Sequence, residues 1–164
     1  MERTKKSPEK AVGELLKKRG LTIAAAESCT GGLLSSMITD VPGSSGYFTG
    51  SVVAYDNEVK KKSLGVKSAT LREYGAVSVA AADEMASGVR KKLKSDIGVA
   101  VTGIVGPGGG SVAKPVGTVF IGVSVKDSVF VKKFLFKGER KKIKKLSSTA
   151  ALEMVLWALK GAGK

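Results

Sequence analysis

The run Glu27-Ser28-Cys29-Thr30-Gly31-Gly32 sets two hydroxyls and a thiol directly before a glycine pair. It follows an apolar run, Leu21 to Ala26, that reads as a short buried strand. It precedes a helical run through Leu33, Leu34, Met37 and Ile38. The turn therefore sits at the carboxyl end of a strand, where open α/β sheets bind ligands. Glycines let backbone come close to a bound group, and the N–H groups at a helix start can hold a phosphate or a developing oxyanion. Thr30, Gly31 and Gly32 are the candidate donors, and Ser28 at the mouth of the turn is a candidate nucleophile. The same pattern also fits a bland role, with Ser28 and Thr30 merely capping the helix. Cys29 is a poorer nucleophile here. A reactive thiol needs a lowered pKa, and small cysteines beside strands are usually inert filler.

The chain has no histidine. That excludes Ser-His-Asp and Cys-His catalysis and removes the commonest metal ligand. A hydrolase built on this sequence needs another base, and lysine is the natural one. Tyr55-Asp56-Asn57-Glu58-Val59-Lys60 supplies a candidate. With Asn57 as the cap of a short helix, Lys60 falls in its first turn, the wrong end of the dipole for a cation. Lys61 and Lys62 add like charge, and both effects favour the neutral amine. Tyr55, at a strand end, could orient the lysine or relay a proton. The competing reading is three solvated lysines on a surface helix.

A third segment runs from Thr102-Gly103-Ile104-Val105-Gly106-Pro107-Gly108-Gly109-Gly110 to Lys114-Pro115-Val116-Gly117-Thr118. It is neither a P-loop nor a G-x-G-x-x-G fingerprint. A long glycine loop straight after a buried strand suits wrapping a nucleotide or phosphate. It also fits a flexible hairpin connection, although loops this long in compact domains are usually functional.

The elements that must position these segments are legible in order. Ser7 caps a helix with Pro8 in its first turn, and Gly20 ends it. Strand, helix and strand follow, the second strand from Tyr47 to Tyr55. Short helices at Asn57 and Ser68 to Tyr74 precede an amphipathic helix over Ser78 to Lys94. Ile97 to Val101 is a buried strand, and Val116–Val125 with Val129–Phe136 form a hairpin. The last helix runs from about Arg140 to Lys160. The order α-β-α-β-α-α-β-β-β-α predicts an α/β fold, a three-layer α/β/α sandwich with a mixed, partly antiparallel central sheet, occupying residues 1–164 as one domain.

Composition narrows the function further. A single cysteine makes no internal disulfide and no multi-cysteine zinc site, and it points to a reducing compartment. The charged N-terminus lacks a signal peptide and no window is long and apolar enough to span a membrane, so the expected location is cytoplasmic. The net charge of +14 fits either phosphate contacts with nucleic acid or a lysine-coated surface. Only 5% of residues are aromatic, which gives base stacking little support, so nucleic acid is not the expected partner. Ala150 to Leu159 is apolar on nearly every side and is therefore buried, either in the core or in a homodimer interface. Trp157 reads as core packing.

Taken in order, the segments resemble the CinA C-terminal domain family. The matching stretches are Ala25 to Gly32, Pro42-Gly43-Ser44-Ser45, Tyr55-x-Asn57-Glu58-x-Lys60, Leu64-Gly65-Val66, Gly75-Ala76-Val77-Ser78, Thr102-Gly103-Ile104 with Gly106-Pro107-x-Gly109-Gly110, Lys114 to Thr118, and Gly138-x-Arg140. The resemblance implies an amidohydrolase that converts nicotinamide mononucleotide and water to nicotinate mononucleotide and ammonia, with no cofactor and no metal. It makes Ser28 the nucleophile, Lys60 the base and Tyr55 an assistant. It places Asn57, Thr102, Gly103, Gly106, Gly109, Gly110 and Arg140 at the substrate, with Ser44 or Ser45 joining Arg140 on the phosphate. Relatives often carry arginine at the position of Lys144, where lysine loses bidentate phosphate binding. Fused relatives carry a large N-terminal domain associated with pyrophosphatase activity, which this chain is not expected to share.

Overall fold

The computed structural model describes residues 6–161. The element order is α1 (Pro8–Arg19), β1 (Ile23–Glu27), α2 (Leu33–Thr39), a 3-10 turn (Ser44–Gly46), β2 (Phe48–Val53), α3 (Asn57–Leu64), α4 (Ser68–Tyr74), α5 (Val79–Lys92), β3 (Ile97–Gly103), β4 (Thr118–Val125), β5 (Ser128–Leu135) and α6 (Arg140–Gly161). The strands form one sheet in the order β2-β1-β3-β4-β5. β1 runs parallel to both β2 and β3, while β4 and β5 are antiparallel additions. Helices cover both faces, giving the expected mixed three-layer sandwich.

Side-chain size decides which helix lies on which face. Successive strand residues point to opposite faces. Ile23 and Ala25 of β1, with Ile97, Val99 and Val101 of β3, meet α1, α2 and α6. Ala24, Ala26 and Ala100 point the other way, onto α5. α5 comes so close there that glycine is needed: a Cβ on Gly98 would lie 2.2 Å from the Ala86 carbonyl oxygen, and one on Gly122 would lie 2.6 Å from that of Ala82. Neither carbonyl can yield without lifting α5 off the sheet. Gly98→Ala should therefore cost about 1–3 kcal/mol of stability, read as a lowered denaturant midpoint at unchanged slope.

Three local expectations change. Ser7 precedes α1 in extended backbone, but its side chain makes no cap hydrogen bond. α3 is capped by Asp56, whose carboxylate accepts from the Glu58 N–H, so Asn57 is the first helical residue and not the cap. Trp157 is 56% exposed and packs edge-to-face on Phe130, not in the core. The rest of the apolar end of α6 is largely buried within the chain itself, from Ala150 and Ala151 to Ala158 and Leu159. A partner subunit is therefore not needed to cover it. Among the described residues no helix is long and apolar enough to cross a membrane.

Candidate active site

The chain leaves β1 toward β2 on one side, while β3 continues toward β4 on the other. The carboxyl ends of β1 and β3 therefore flank a point where the strand order diverges, and a crevice opens there. It is a cleft of about 290 Å³ lined by Ser28, Cys29, Tyr55, Asn57, Lys60, Thr102, Gly103, Gly106, Gly109 and Arg140, among others. A larger groove of about 680 Å³ lies between β5 and α6, near Phe130 and Trp157, but it pairs no nucleophile with a base.

Ser28 is the first residue beyond β1. Its N–H donates to the Val101 carbonyl of β3, and its own carbonyl accepts from the Gly31 N–H. The chain then reverses through Gly31 and Gly32 at φ +61° and +100°, a left-handed pair that side-chain-bearing residues rarely adopt. The hydroxyl side chain is held at the cleft and is nearly buried.

Lys60 is the anomaly. It is 1% exposed, among the largest fully buried side chains of the protein. Its Nζ donates to the Tyr55 carbonyl at 3.0 Å, and among the described residues it forms no ion pair. Burial pushes its pKa down from the usual lysine value, with the Asp56 carboxylate pulling the other way. The expected direction thus holds, but its main cause is burial. Lys61, the next residue, is ion-paired with Glu58.

Cys29 lies beside Ser28 and is buried. Burial pushes its thiol up to about 12, with the Glu27 carboxylate adding to the rise and Lys144 and Lys60 opposing it. A thiol so placed stays protonated, and a protonated thiol is a poor nucleophile.

Tyr55 divides its two polar groups. The backbone carbonyl orients Lys60, and the phenol oxygen accepts from Arg140 Nη2 at 3.1 Å. The ring is 62% exposed at the rim. Arg140 opens α6 and also donates from Nη1 to the Gly106 carbonyl at 2.7 Å, so it ties the glycine loop to the end of β2. Thr102 donates its hydroxyl proton to the Ala76 carbonyl, joining the β3 end to the segment before α5.

Several expected site residues lie elsewhere. Ser44 and Ser45 form the 3-10 turn before β2, whereas the cleft lies beyond its end. Because β1 and β2 are parallel, the loop entering β2 sits at the amino ends of the strands, opposite to the carboxyl ends where β1 delivers Ser28. Gly110 packs against Pro115 and Val116 and does not line the cleft. The helix-start donors are also taken: the Gly31 N–H bonds Ser28, and the Gly32 N–H donates to the Glu27 carboxylate. Thr30 is fully buried, with a hydroxyl that has no partner among the described residues.

Two further residues stand near the site, Glu27 with no expected role and Lys144 noted only through the resemblance. Glu27 is wholly buried at the end of β1. Lys144 lies one helical turn after Arg140, with its Nζ 3.6 Å from the point where a Cβ on Gly31 would stand. The i, i+4 spacing on one helix face carries that second signal.

Comparison with known proteins agrees with the fold. The model of the CinA C-terminal domain matches residues 5–159. A Halothermothrix orenii protein with a competence-damage designation is 55% identical over 141 residues, which is 85% of this chain and 34% of that protein. A "CinA-like protein" of Thermotoga neapolitana is 49% identical over 156 residues, 95% of this chain and 38% of its own length. The chain thus spans little more than a third of the curated relatives it matches. The crystal structure of the competence/damage inducible protein CihA from Agrobacterium tumefaciens superposes with a TM-score of 0.88 at 36% identity, covering 98% of this chain and 99% of that one.

Proposed function

The chain belongs to the CinA C-terminal domain family, and from that premise we propose that it hydrolyses the carboxamide of nicotinamide mononucleotide, with Ser28 as nucleophile and Lys60 as base. The observation that carries the reading is Lys60: a lysine buried with no ion pair among the described residues, in the same cleft as a serine, in a chain that has no histidine. Burying a lone amine is costly, and its main effect is to make the neutral, proton-accepting form available.

The steps balance as follows. Neutral Lys60 takes the Ser28 hydroxyl proton as Oγ bonds the carboxamide carbon. The oxyanion is held by the turn that carries Ser28. In that turn the N–H groups of Cys29 and Thr30 have no acceptor among the described residues. The C–N bond then breaks, and the proton passes from Lys60 to the leaving nitrogen, which departs as ammonia. Water attacks the resulting ester and gives a proton to Lys60; the acyl–Oγ bond then breaks, Lys60 returns that proton to the Ser28 oxygen, and nicotinate mononucleotide leaves with both residues restored. Arg140 and Lys144 supply the positive charge that a phosphate monoester at the rim requires.

The direct test incubates the protein with nicotinamide mononucleotide and measures ammonia and nicotinate mononucleotide together. Equal amounts of both are expected, and neither product from folded protein would refute the reading. Arg140→Ala should raise KM for nicotinamide mononucleotide about tenfold. KM for an otherwise identical substrate without the phosphate should move far less, and steady-state kinetics on both substrates checks this.

A further inference from the structure

Glu27 is the one buried carboxylate at the site, and the steps above do not use it. It ends β1 with no exposed surface. One oxygen accepts from the Gly32 N–H at 2.9 Å and the Leu34 N–H at 3.1 Å. The other accepts from the Ser35 N–H at 2.8 Å and from the Ser35 hydroxyl. Among the described residues it has no lysine or arginine partner. All four contacts are donors aimed at a group that only accepts, and the four fill the lone-pair sites of a carboxylate. The backbone of the same residue is fastened too, since its carbonyl accepts from the Ala54 N–H beyond β2.

The consequence falls on the four residues in between. Ser28, Cys29, Thr30 and Gly31 form a loop that starts at Glu27 and whose far end is clamped to the Glu27 side chain. The clamp takes up three of the N–H groups at the start of α2, and the Gly31 N–H is held by Ser28. An anion cannot bind at that helix end without displacing Glu27. The turn is left with the N–H groups of Cys29 and Thr30.

We propose that Glu27 is a positioning residue: its carboxylate closes the start of α2 to anions and fixes the turn so that the Ser28 hydroxyl and the Cys29 and Thr30 N–H groups hold one geometry toward the substrate. This rests on the reading of Ser28 as nucleophile. Nothing in it requires Glu27 to touch substrate or to exchange a proton.

The test compares wild type, Glu27→Gln and Ser35→Ala by steady-state ammonia release and by amide hydrogen exchange. Glutamine keeps the size of the side chain, but its NH2 group turns one accepting end into a donor facing donors. Expected for Glu27→Gln is a kcat lowered about a hundredfold per folded molecule, as a small misplacement of reacting groups produces, with KM changed less than threefold. Protection at Gly32, Leu34 and Ser35 should fall while that of β3 and β4 persists. Ser35→Ala removes one of the four donors and should lower kcat about threefold, which keeps the proposal testable if Glu27→Gln does not fold. A merely structural role would lower stability and leave kcat per folded molecule unchanged. That outcome, or wild-type kcat with protection lost at residues 32–35, overturns the proposal. No ammonia from folded wild-type protein overturns the deamidase reading and this proposal with it. It is told apart because it is seen before any variant is made.

Discussion

Lys60→Met should lower kcat/KM about 10³-fold and at the same time make the protein more stable, by about 1 kcal/mol. Methionine matches the length of the lysine stem, and it removes an amine that is buried with one hydrogen bond and no ion pair among the described residues. A lysine kept for packing would give no such opposition of signs. A group retained at a cost to stability is the mark of a functional residue. Thermal melts and steady-state kinetics on the same sample read both effects. Equal activity, or a loss of stability that accounts for the lost activity, would remove Lys60 from the mechanism.

The pH dependence follows from the same burial. The pKa of Lys60 is lowered from its ordinary 10.5, so the folded protein binds fewer protons than the unfolded chain between the two values. Stability contributed through this group therefore rises with pH across that window and is least below the folded pKa. Activity needs the neutral amine, so kcat/KM should climb with pH along one ionisation below 10.5 and then level. Without histidine, and with the Cys29 thiol pushed up to about 12, few other groups at the site can supply such a limb. Lys60→Met should lose the stability slope.

Ser28→Ala should lower kcat by about 10⁴-fold or more while leaving the melting temperature within a few degrees. The hydroxyl makes no hydrogen bond among the described residues, and the clamp on the turn uses the backbone of Ser28 and the carboxylate of Glu27. Binding of nicotinamide mononucleotide should survive, because Arg140 and Lys144, the proposed phosphate partners, are left unchanged. A Ser28→Ala variant that turns over at the wild-type rate would move the nucleophile to water.

Most of the fold was legible because each element has its own period. The Ile and Val of β3 alternate with Gly98 and Ala100, and the face of α5 recurs as Ala82, Met85, Ala86 and Val89. The errors arose where a residue's place depends on topology or on a neighbour. Ser44 and Ser45 resembled phosphate ligands by motif, but a parallel β1–β2 pair puts the loop between α2 and β2 at the end of the strands away from the cleft. Gly32 looked like an anion donor because it stands at a helix start, whereas the Glu27 carboxylate reaches five residues ahead to take that N–H. Lys60 was legible as a candidate base, although a run of three lysines also fits a solvated surface helix. Only its spacing to Leu64, one turn on and equally buried, marks it as facing inward. Trp157 shows the reverse error: an apolar run predicts burial on average, but a surface helix keeps one side outward, and Glu153 and Trp157 occupy it.

The most direct measurement is hydrolysis of nicotinamide mononucleotide in the presence of hydroxylamine. If Ser28 forms an ester with the acyl group, hydroxylamine should intercept it, giving the hydroxamate beside nicotinate mononucleotide at an undiminished rate of ammonia release. Neither product should form with Ser28→Ala. Ammonia release with no hydroxamate at any hydroxylamine concentration, or hydroxamate formed equally well by Ser28→Ala, would contradict attack by Ser28.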